Sequence, residues 1–448
     1  MVQAAPAHES LRTNPRFRRF WLGRLLANTA QNAILYALLI IVVDRTGSTI
    51  HSSLLVLSFI VPAALFGIVG GVVVDHLPKR AVLVLSSLLR ALLCIVFLRS
   101  SESVWVIYGT NLALSTVSQF SGPAESAVVP ALVDGGQIAS ATALLNVGVI
   151  LAQVAGTVVL APLFVKTLGA DRLFLTTIVL FALSAAAYAA MPRSPRRPPG
   201  WMREHEEPRF TGLRASAVES WRVMRSNRSV FLAGIQQTVV TTTIVVLVSL
   251  LPNYTRSTLH LPTEDAVFVF APAAIGVGLG NWLVPKLARR RGRSLLAGAG
   301  FLVFLLCLGA LGFSVQVEDL ARGHHVLGPL GALAPGFFYS PGAFAGVVAM
   351  PLGFGYAIVL VAARLITYEH VPAQMHGRVF AFQGVLSSLA SIVPLLLVGL
   401  LTHLIGPRAV LVALAAVDLA ALLYARATLP RGAGVGPPRP LPLSRVQP

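Results

Sequence analysis

Uncharged polar residues recur at helical spacing inside otherwise apolar stretches of this chain. Asn28, Asn32 and Tyr36 stand at i, i+4 and i+8, with Gln31 beside them. Asn111, Ser115 and Gln119 repeat that spacing, Asn146 and Gln153 lie seven apart, and Gln237 and Thr241 sit among Gln236, Thr238, Thr242 and Thr243. Spacings of four and seven put such groups on one helix face. In apolar surroundings that face can bond a neighbouring helix, at about 0.6 kcal/mol per contact, or line a cavity that holds a solute. Both readings stand for each residue, and four stripes on separate segments favour a cavity. A neutral, amide-rich lining with Trp282 and Tyr356 in reach suits a small amphipathic or apolar solute better than a sugar or phosphate.

Charges inside the apolar stretches are few. Arg90 lies ten residues past Arg80, about 15 Å deeper along a helix. It could attract an anionic group, pair with a titrating acid, or serve structure alone. Asp418 stands by itself between Val417 and Leu419; it could carry a proton or be structural. Glu125, read as a solvated residue at a loop edge, is the third candidate for proton coupling. Catalysis has no comparable footing. His324-His325 is a lone pair in a loop, and neither a phosphate-binding loop, a Gly-x-Ser-x-Gly elbow nor a His-Glu-x-x-His helix occurs. The chain reads as a non-enzyme with no catalytic residue, metal site or cofactor.

These residues must be positioned by membrane helices. The chain has 448 residues, 55% hydrophobic and 12% charged, with a mean hydropathy of +0.76. A soluble protein of this length needs more polar surface than that. Apolar runs of about 20 residues suffice to cross a bilayer, and about twelve occur. The expected spans are 20–43, 54–74, 81–98, 104–121, 139–165, 172–191, 229–251, 266–285, 294–315, 342–366, 379–401 and 408–427. The first is too long for the core of a signal peptide. Strands are excluded by run length and the lack of period-two alternation. Cys94 and Cys307 both fall inside spans and offer neither a disulfide framework nor metal-ligand spacing.

Lys and Arg fix the orientation. With both termini cytoplasmic, the inner segments carry 27 of the 35 and the outer loops 7, leaving Arg90 within a span. The positive-inside rule predicts that bias. The net charge of +18 therefore reports topology and attraction to anionic lipid, and nucleic acid is not an expected partner. The expectation is a multi-pass protein of the plasma (inner) membrane, monomeric, whose partners are the lipid bilayer, a small amphipathic substrate and protons.

A hydrophilic stretch divides the spans six and six. The expected organisation is an N-terminal bundle over 1–191, a cytoplasmic linker over 192–228, a C-terminal bundle over 229–427 and a tail over 428–448. The linker opens with Pro192, Pro195, Arg196, Arg197, Pro198 and Pro199, which cannot form an uninterrupted helix. Leu213, Ala217, Trp221 and Met224 then recur at helical spacing with Arg214, Arg222 and Arg225 on other faces. That pattern predicts a short helix on the membrane surface. The segment 316–342 reads as an irregular outer loop.

The second span ends Gly70-Gly71-Val72-Val73-Val74-Asp75, followed by Lys79 and Arg80. An acid at one helix end facing bases on the next element makes a breakable latch. Gly276 and Gly280 repeat Gly67 and Gly71 at a constant offset of 209 residues, with Val284 in place of the acid; this implies a duplicated six-helix unit. Gly71, Asp75, Lys79 and Arg80 match the signature between the second and third helices of the major facilitator superfamily, which the chain resembles along nearly its whole length. More narrowly it resembles the drug- and macrolide-exporter branch. The matching residues are Asn14 to Gly23, Thr46-Gly47-Ser48, Pro123-Ala124, Ala127, Pro130, Leu132-Val133, Val371-Pro372 and Gly377-Arg378-Val379-Phe380. The resemblance implies an all-α membrane fold of two six-helix bundles and export by alternating access. It also implies a cavity lined by spans 1, 4, 7 and 10. A carrier of lipids or siderophores and a non-transporting sensor are the alternatives. Three positions depart from the branch: Ala30-Gln31 replaces Gly-Asp, Ser87 replaces an acid before Arg90, and the fifth-span pattern is reduced to Gly156-Thr157 and Leu160-Ala161. These changes remove the branch's obvious proton carriers.

Overall fold

The computed structural model describes residues 11, 13–100, 103–133, 137–192, 213–263, 266–288, 292–314, 316, 341–372 and 375–428. Among them there is no strand. The first half comprises α1 (Pro15–Thr46), α2 (Thr49–His76), α3 (Lys79–Ser100), α4 (Val104–Leu132), α5 (Ile138–Gln153) and α6 (Ala170–Ala189). After Gln153, α5 runs on to Leu168 through wider π-helical turns at Val154–Leu160 and Phe164–Leu168. A short helix, α7 (Leu213–Ser226), precedes α8 (Arg228–Ser257), α9 (Ala266–Leu287), α10 (Arg293–Gly312), α11 (Pro341–His370) and α12 (His376–Thr428). Gly406, at φ 79°, breaks α12 into two spans. Among the described residues, nine stretches are long and apolar enough to cross a membrane. The first part of the linker, the 317–340 loop with His324 and His325, and the tail beyond Thr428 lie outside the described residues.

Local sequence explains where helices start and stop. The Asn14 carboxamide oxygen accepts from Arg16 and Phe17 N–H at 3.0 and 3.1 Å, with Pro15 at the first position. Those are two of the amides a helix start leaves unpaired. Asn227 does the same for α8, accepting from Ser229 and Val230. The turn between the fifth and sixth spans needs a positive φ in both halves, and glycine supplies it at Gly169 (86°) and Gly406 (79°). Duplicated packing accompanies the duplicated turns. α2 packs on α4 as α9 does on α11, and α3 on α6 as α10 does on α12. Several helices outrun the expected spans, because polar residues near a helix end extend it beyond the hydrocarbon. α4 is the largest case, ending at Leu132 and not 121.

The apolar cores divide the molecule along its length. At the side away from the linker one cluster joins both halves, from Leu38 and Val42 through Leu55 and Ile107 to Val246, Leu250, Leu395 and Val398. At the linker side there are separate cores. One holds Phe17, Phe20, Val82, Ala124 and Tyr188; the other holds Met224, Val230, Ala297, Ala362 and Val379. Where the halves join, a Cβ at Gly399 of α12 would lie 2.8 Å from Ile50 Cα of α2, and Asn253 of α8 donates to Thr49 of α2.

Candidate substrate site and gates

The polar stripes separate into those bonded within a half and those left open. Asn111 and Ser115 are fully buried. Asn111 donates to Leu55 O at 3.2 Å and Ser58 Oγ at 2.8 Å, and Ser115 to Phe59 O at 2.5 Å. Their donors bind α4 to α2, the first of the two roles open to such a stripe, while the Asn111 amide oxygen is shielded and has no hydrogen-bond partner. Gln119 donates to Ser115 O of its own helix at 3.3 Å. Asn146 and Gln153 are exposed on α5. On α1, Asn28 donates to Arg24 O and Asn32 to Asn28 O, each at 2.8 Å. Gly156, on the π-helical part of α5, lies against Asn32, where a Cβ would sit 2.9 Å from Asn32 Cβ. Tyr36 is buried beside Ala161 and Leu173. Gln31 differs: its amide nitrogen and oxygen are both shielded from solvent and have no hydrogen-bond partner.

On α8, consecutive threonines serve different neighbours. Thr238 and Thr242 receive Ser387 and Ser391 of α12 at 3.4 and 3.1 Å. Thr243 donates to the Asp418 carboxylate at 2.7 Å, and Thr241 lies near Tyr356 of α11. Gln237, one turn from Thr241, keeps a shielded amide oxygen without a partner. Sequence reasoning misses Gln383, which is 1% exposed and has both amide atoms unpartnered. Gln383, Ser387 and Ser391 carry the i, i+4, i+8 spacing that marked α1, so the same test finds it. Trp282 stands 61% exposed near the end of α9, with Lys286 Nζ 3.7 Å from its ring centre.

The buried charges stay inside their own halves. Glu125, expected at a solvated loop edge, lies in the extended α4 and is buried. It pairs with Arg24 of α1 at 2.8 Å and accepts from Tyr188 of α6 at 3.4 Å. The correction follows from the length of α4, which carries the acid into the bundle. Arg24, counted with the cations of the first cytoplasmic segment, is the tenth residue of α1. Arg90 is buried, donates to Ser121 and lies 5.9 Å from the Phe181 ring centre. Asp418 is buried with Thr243 as its donor.

At the linker side, Lys79 Nζ donates to Val74 O at 2.7 Å, and Arg80 donates to Ala189 O. Arg19 reaches Ala190 O at 2.8 Å. These cations meet carbonyls at helix C-terminal ends, Val74 O also accepting from Leu77 N–H at 3.1 Å. Asp75 falls in the last turn of α2; its side chain lies outside the described residues. Nothing comes within 4 Å of a Cβ at Gly71. In the second half, a Cβ at Gly276 would meet Met350 O at 2.0 Å, and Arg293 pairs with Glu369. The short helix α7 packs on α8 and α12. Glu219 meets Arg378 at 3.2 Å, Trp221 stacks edge-on with Phe231 and Phe382, and buried Met224 fills the space above Gly234. α7 is thereby anchored to the second half, which its expected place on the membrane surface did not include. Among the described residues no group of His, Cys, Asp and Glu could hold a metal ion.

A family model described as Major Facilitator Superfamily matches residues 20–352. A search of the curated proteins gives no match. Solved structures share the architecture. A point mutant of the nucleoside transporter NupG aligns with a TM-score of 0.70 at 11% identity, covering 92% of this chain and 99% of that one. A bacterial homologue of the human lysosomal transporter Spinster, inward-facing and occupied, gives 0.69 at 12% over 94% and 98%. A POT family transporter in complex with 5-aminolevulinic acid gives 0.68 at 11% over 96% and 99%. At these identities the likeness is one of fold.

Proposed function

We propose, from the premise that the chain belongs to the major facilitator superfamily, that it is a secondary transporter that exports a small amphipathic compound by alternating access. The observation carrying this reading is the division of the core: shared by both halves on one side, separate on the other. Two bundles hinged at one end expose a central site at the other. The 27-to-7 bias of Lys and Arg supports a cytoplasmic linker side, and with it the reading of this state as inward-facing in the plasma membrane. A static sensor has no use for a core that divides. Glu125 is the acid through which a proton gradient would act, since protonating it would release Arg24.

The test uses purified protein in liposomes with lipophilic cations, macrolides and lysolipids, with and without a pH gradient. Gradient-dependent export of any of them supports coupled transport. Movement indifferent to the gradient supports an uncoupled or lipid carrier, and no movement with binding retained supports a sensor.

A further inference from the structure

Two arginines share one carboxylate inside the first half. Glu125 of α4 pairs with Arg24 of α1 at 2.8 Å and accepts from Tyr188 of α6 at 3.4 Å. Arg90 of α3 reaches the same face of α4. It donates to Ser121, which stands one turn before Glu125 on that face, and the carboxylate whose charge it feels is that of Glu125. Ser87, one turn before Arg90 on α3, bonds Ser184 of α6 at 3.2 Å and offers the guanidinium no charge. The Arg90 Nε is shielded and has no hydrogen-bond partner.

The two cations differ in what they can do once the carboxylate is neutralised. A proton on Glu125 would leave both without a counter-charge in a site largely closed to water. Arg24 keeps 24% of its side chain exposed and can turn toward solvent. Arg90 is sealed, with the Phe181 ring of α6 centred 5.9 Å away, and cannot. A cation fixed beside a carboxylate favours the charged form and opposes the proton. Neighbouring elements do not duplicate that charge. Arg19 and Arg80 are held by Ala190 O and Ala189 O at the end of α6. α5 carries no titratable residue from Ile138 to Gln153. On α2, His51 bonds Tyr108 toward the opposite end of α4, and the side chains of Asp75 and His76 lie outside the described residues.

We infer that Arg90 is a positioning residue for proton coupling: the fixed charge that sets the pH at which Glu125 takes up its proton, with Arg24 as the cation then free to move. This rests on Glu125 as the coupling acid of the proposed transporter and adds the group that tunes it.

Infrared titration of the purified full chain in nanodiscs reads the proton directly, through the carboxyl stretch of protonated Glu125. Each spectrum is taken as a difference against the same chain carrying Glu125→Gln, so that other carboxyls cancel. In the wild type the band grows as pH falls. Arg90→Gln should raise its midpoint by about one pH unit or more, because the cation opposing the proton is gone. Arg90→Lys keeps the charge and should return the midpoint to near the wild-type value. Ser87→Asp gives Arg90 an acid one turn away and should also raise the midpoint, which carries the test if Arg90→Gln does not fold. A merely structural arginine would lower the melting temperature of Arg90→Gln and leave the midpoint in place. An unmoved or lowered midpoint in a folded Arg90→Gln or Ser87→Asp chain overturns the inference while leaving Glu125 as the coupling acid. A Glu125 band that appears at no pH where the chain stays folded removes the coupling reading and this inference together.

Discussion

Gly399→Leu should tip the protein toward the state open on the far side. In the present state a Cβ at position 399 would sit 2.8 Å from Ile50 Cα, 3.0 Å from Ile50 Cγ1 and 3.2 Å from Ile50 N. Two of those atoms are backbone, so rotating a side chain cannot relieve the contact. An ordinary van der Waals separation begins near 3.4 Å. A single methyl therefore forces α2 and α12 apart by several tenths of an ångström, and leucine by more. Overpacking of this kind costs about 1–3 kcal/mol. The cost falls on the closed seam alone, because α2 and α12 belong to halves that separate there when the far side opens. A differential of that size changes the ratio of the two states about 5- to 150-fold.

Labelling by a membrane-impermeant maleimide reads the shift. Cys94→Ala and Cys307→Ala remove both native thiols, and Thr49→Cys places a reporter at a position 3% exposed that bonds Asn253 across the seam. Comparing labelling with and without Gly399→Leu in this background cancels the effect of the reporter. The rate should rise with Gly399→Leu and rise less with Gly399→Ala. Unchanged labelling in a folded Gly399→Leu variant would refute the reasoning, since the seam would then not be a contact that opens.

Three further outcomes are expected. Glu125→Gln leaves Arg24 without its ion partner, and thermal unfolding should show a loss of about 2 kcal/mol; this is less than the ~3–5 of a fully buried pair, because Arg24 keeps 24% of its side chain exposed. Met224→Ala empties the contact above Gly234 and should loosen α7, seen as faster trypsin cleavage after the exposed Arg222 and Arg225, with the rest of the chain equally resistant. Gly276→Ala should unfold or misassemble the second half, whereas Gly71→Ala and Asp75→Asn should fold normally. If the latch operates, Asp75→Asn slows turnover in liposomes, and wild-type turnover by that variant would dismiss the latch.

Much of the fold was legible because hydropathy and charge bias each act over short stretches of chain, and the offset between Gly67 and Gly276 marked the repeat. The site was less legible because a polar stripe does not say what it faces. Asn111 and Gln31 look alike in sequence, yet one bonds α2 and the other bonds nothing. Glu125 was misplaced because a hydropathy window ends a helix where polar residues begin, while α4 runs eleven residues past 121. Its partner Arg24 is distant in sequence, and no local pattern links them.

The distribution of strong contacts explains how such halves could move. The ion pair of Arg24 with Glu125 lies inside the first half, and that of Arg293 with Glu369 inside the second. Arg378 with Glu219 ties α7 to the second half as well. Only the first of these is buried, and separating it with both groups charged costs several kcal/mol, so it parts only when Glu125 takes up a proton. The two half-exposed pairs are worth about 0–1 kcal/mol each. The seam between the halves instead contains aliphatic packing and the Asn253 to Thr49 hydrogen bond, a bond worth about 1 kcal/mol net. Apolar packing released there can be replaced by similar packing at the other end of the bundle, so the two states can lie close in free energy. On this argument the mobile seam must remain free of buried salt bridges. Installing one, with Thr49→Asp and Asn253→Lys, should hold the far side closed, slow turnover and leave substrate binding from the linker side intact. Undiminished turnover in that double variant would show that the seam is not what opens.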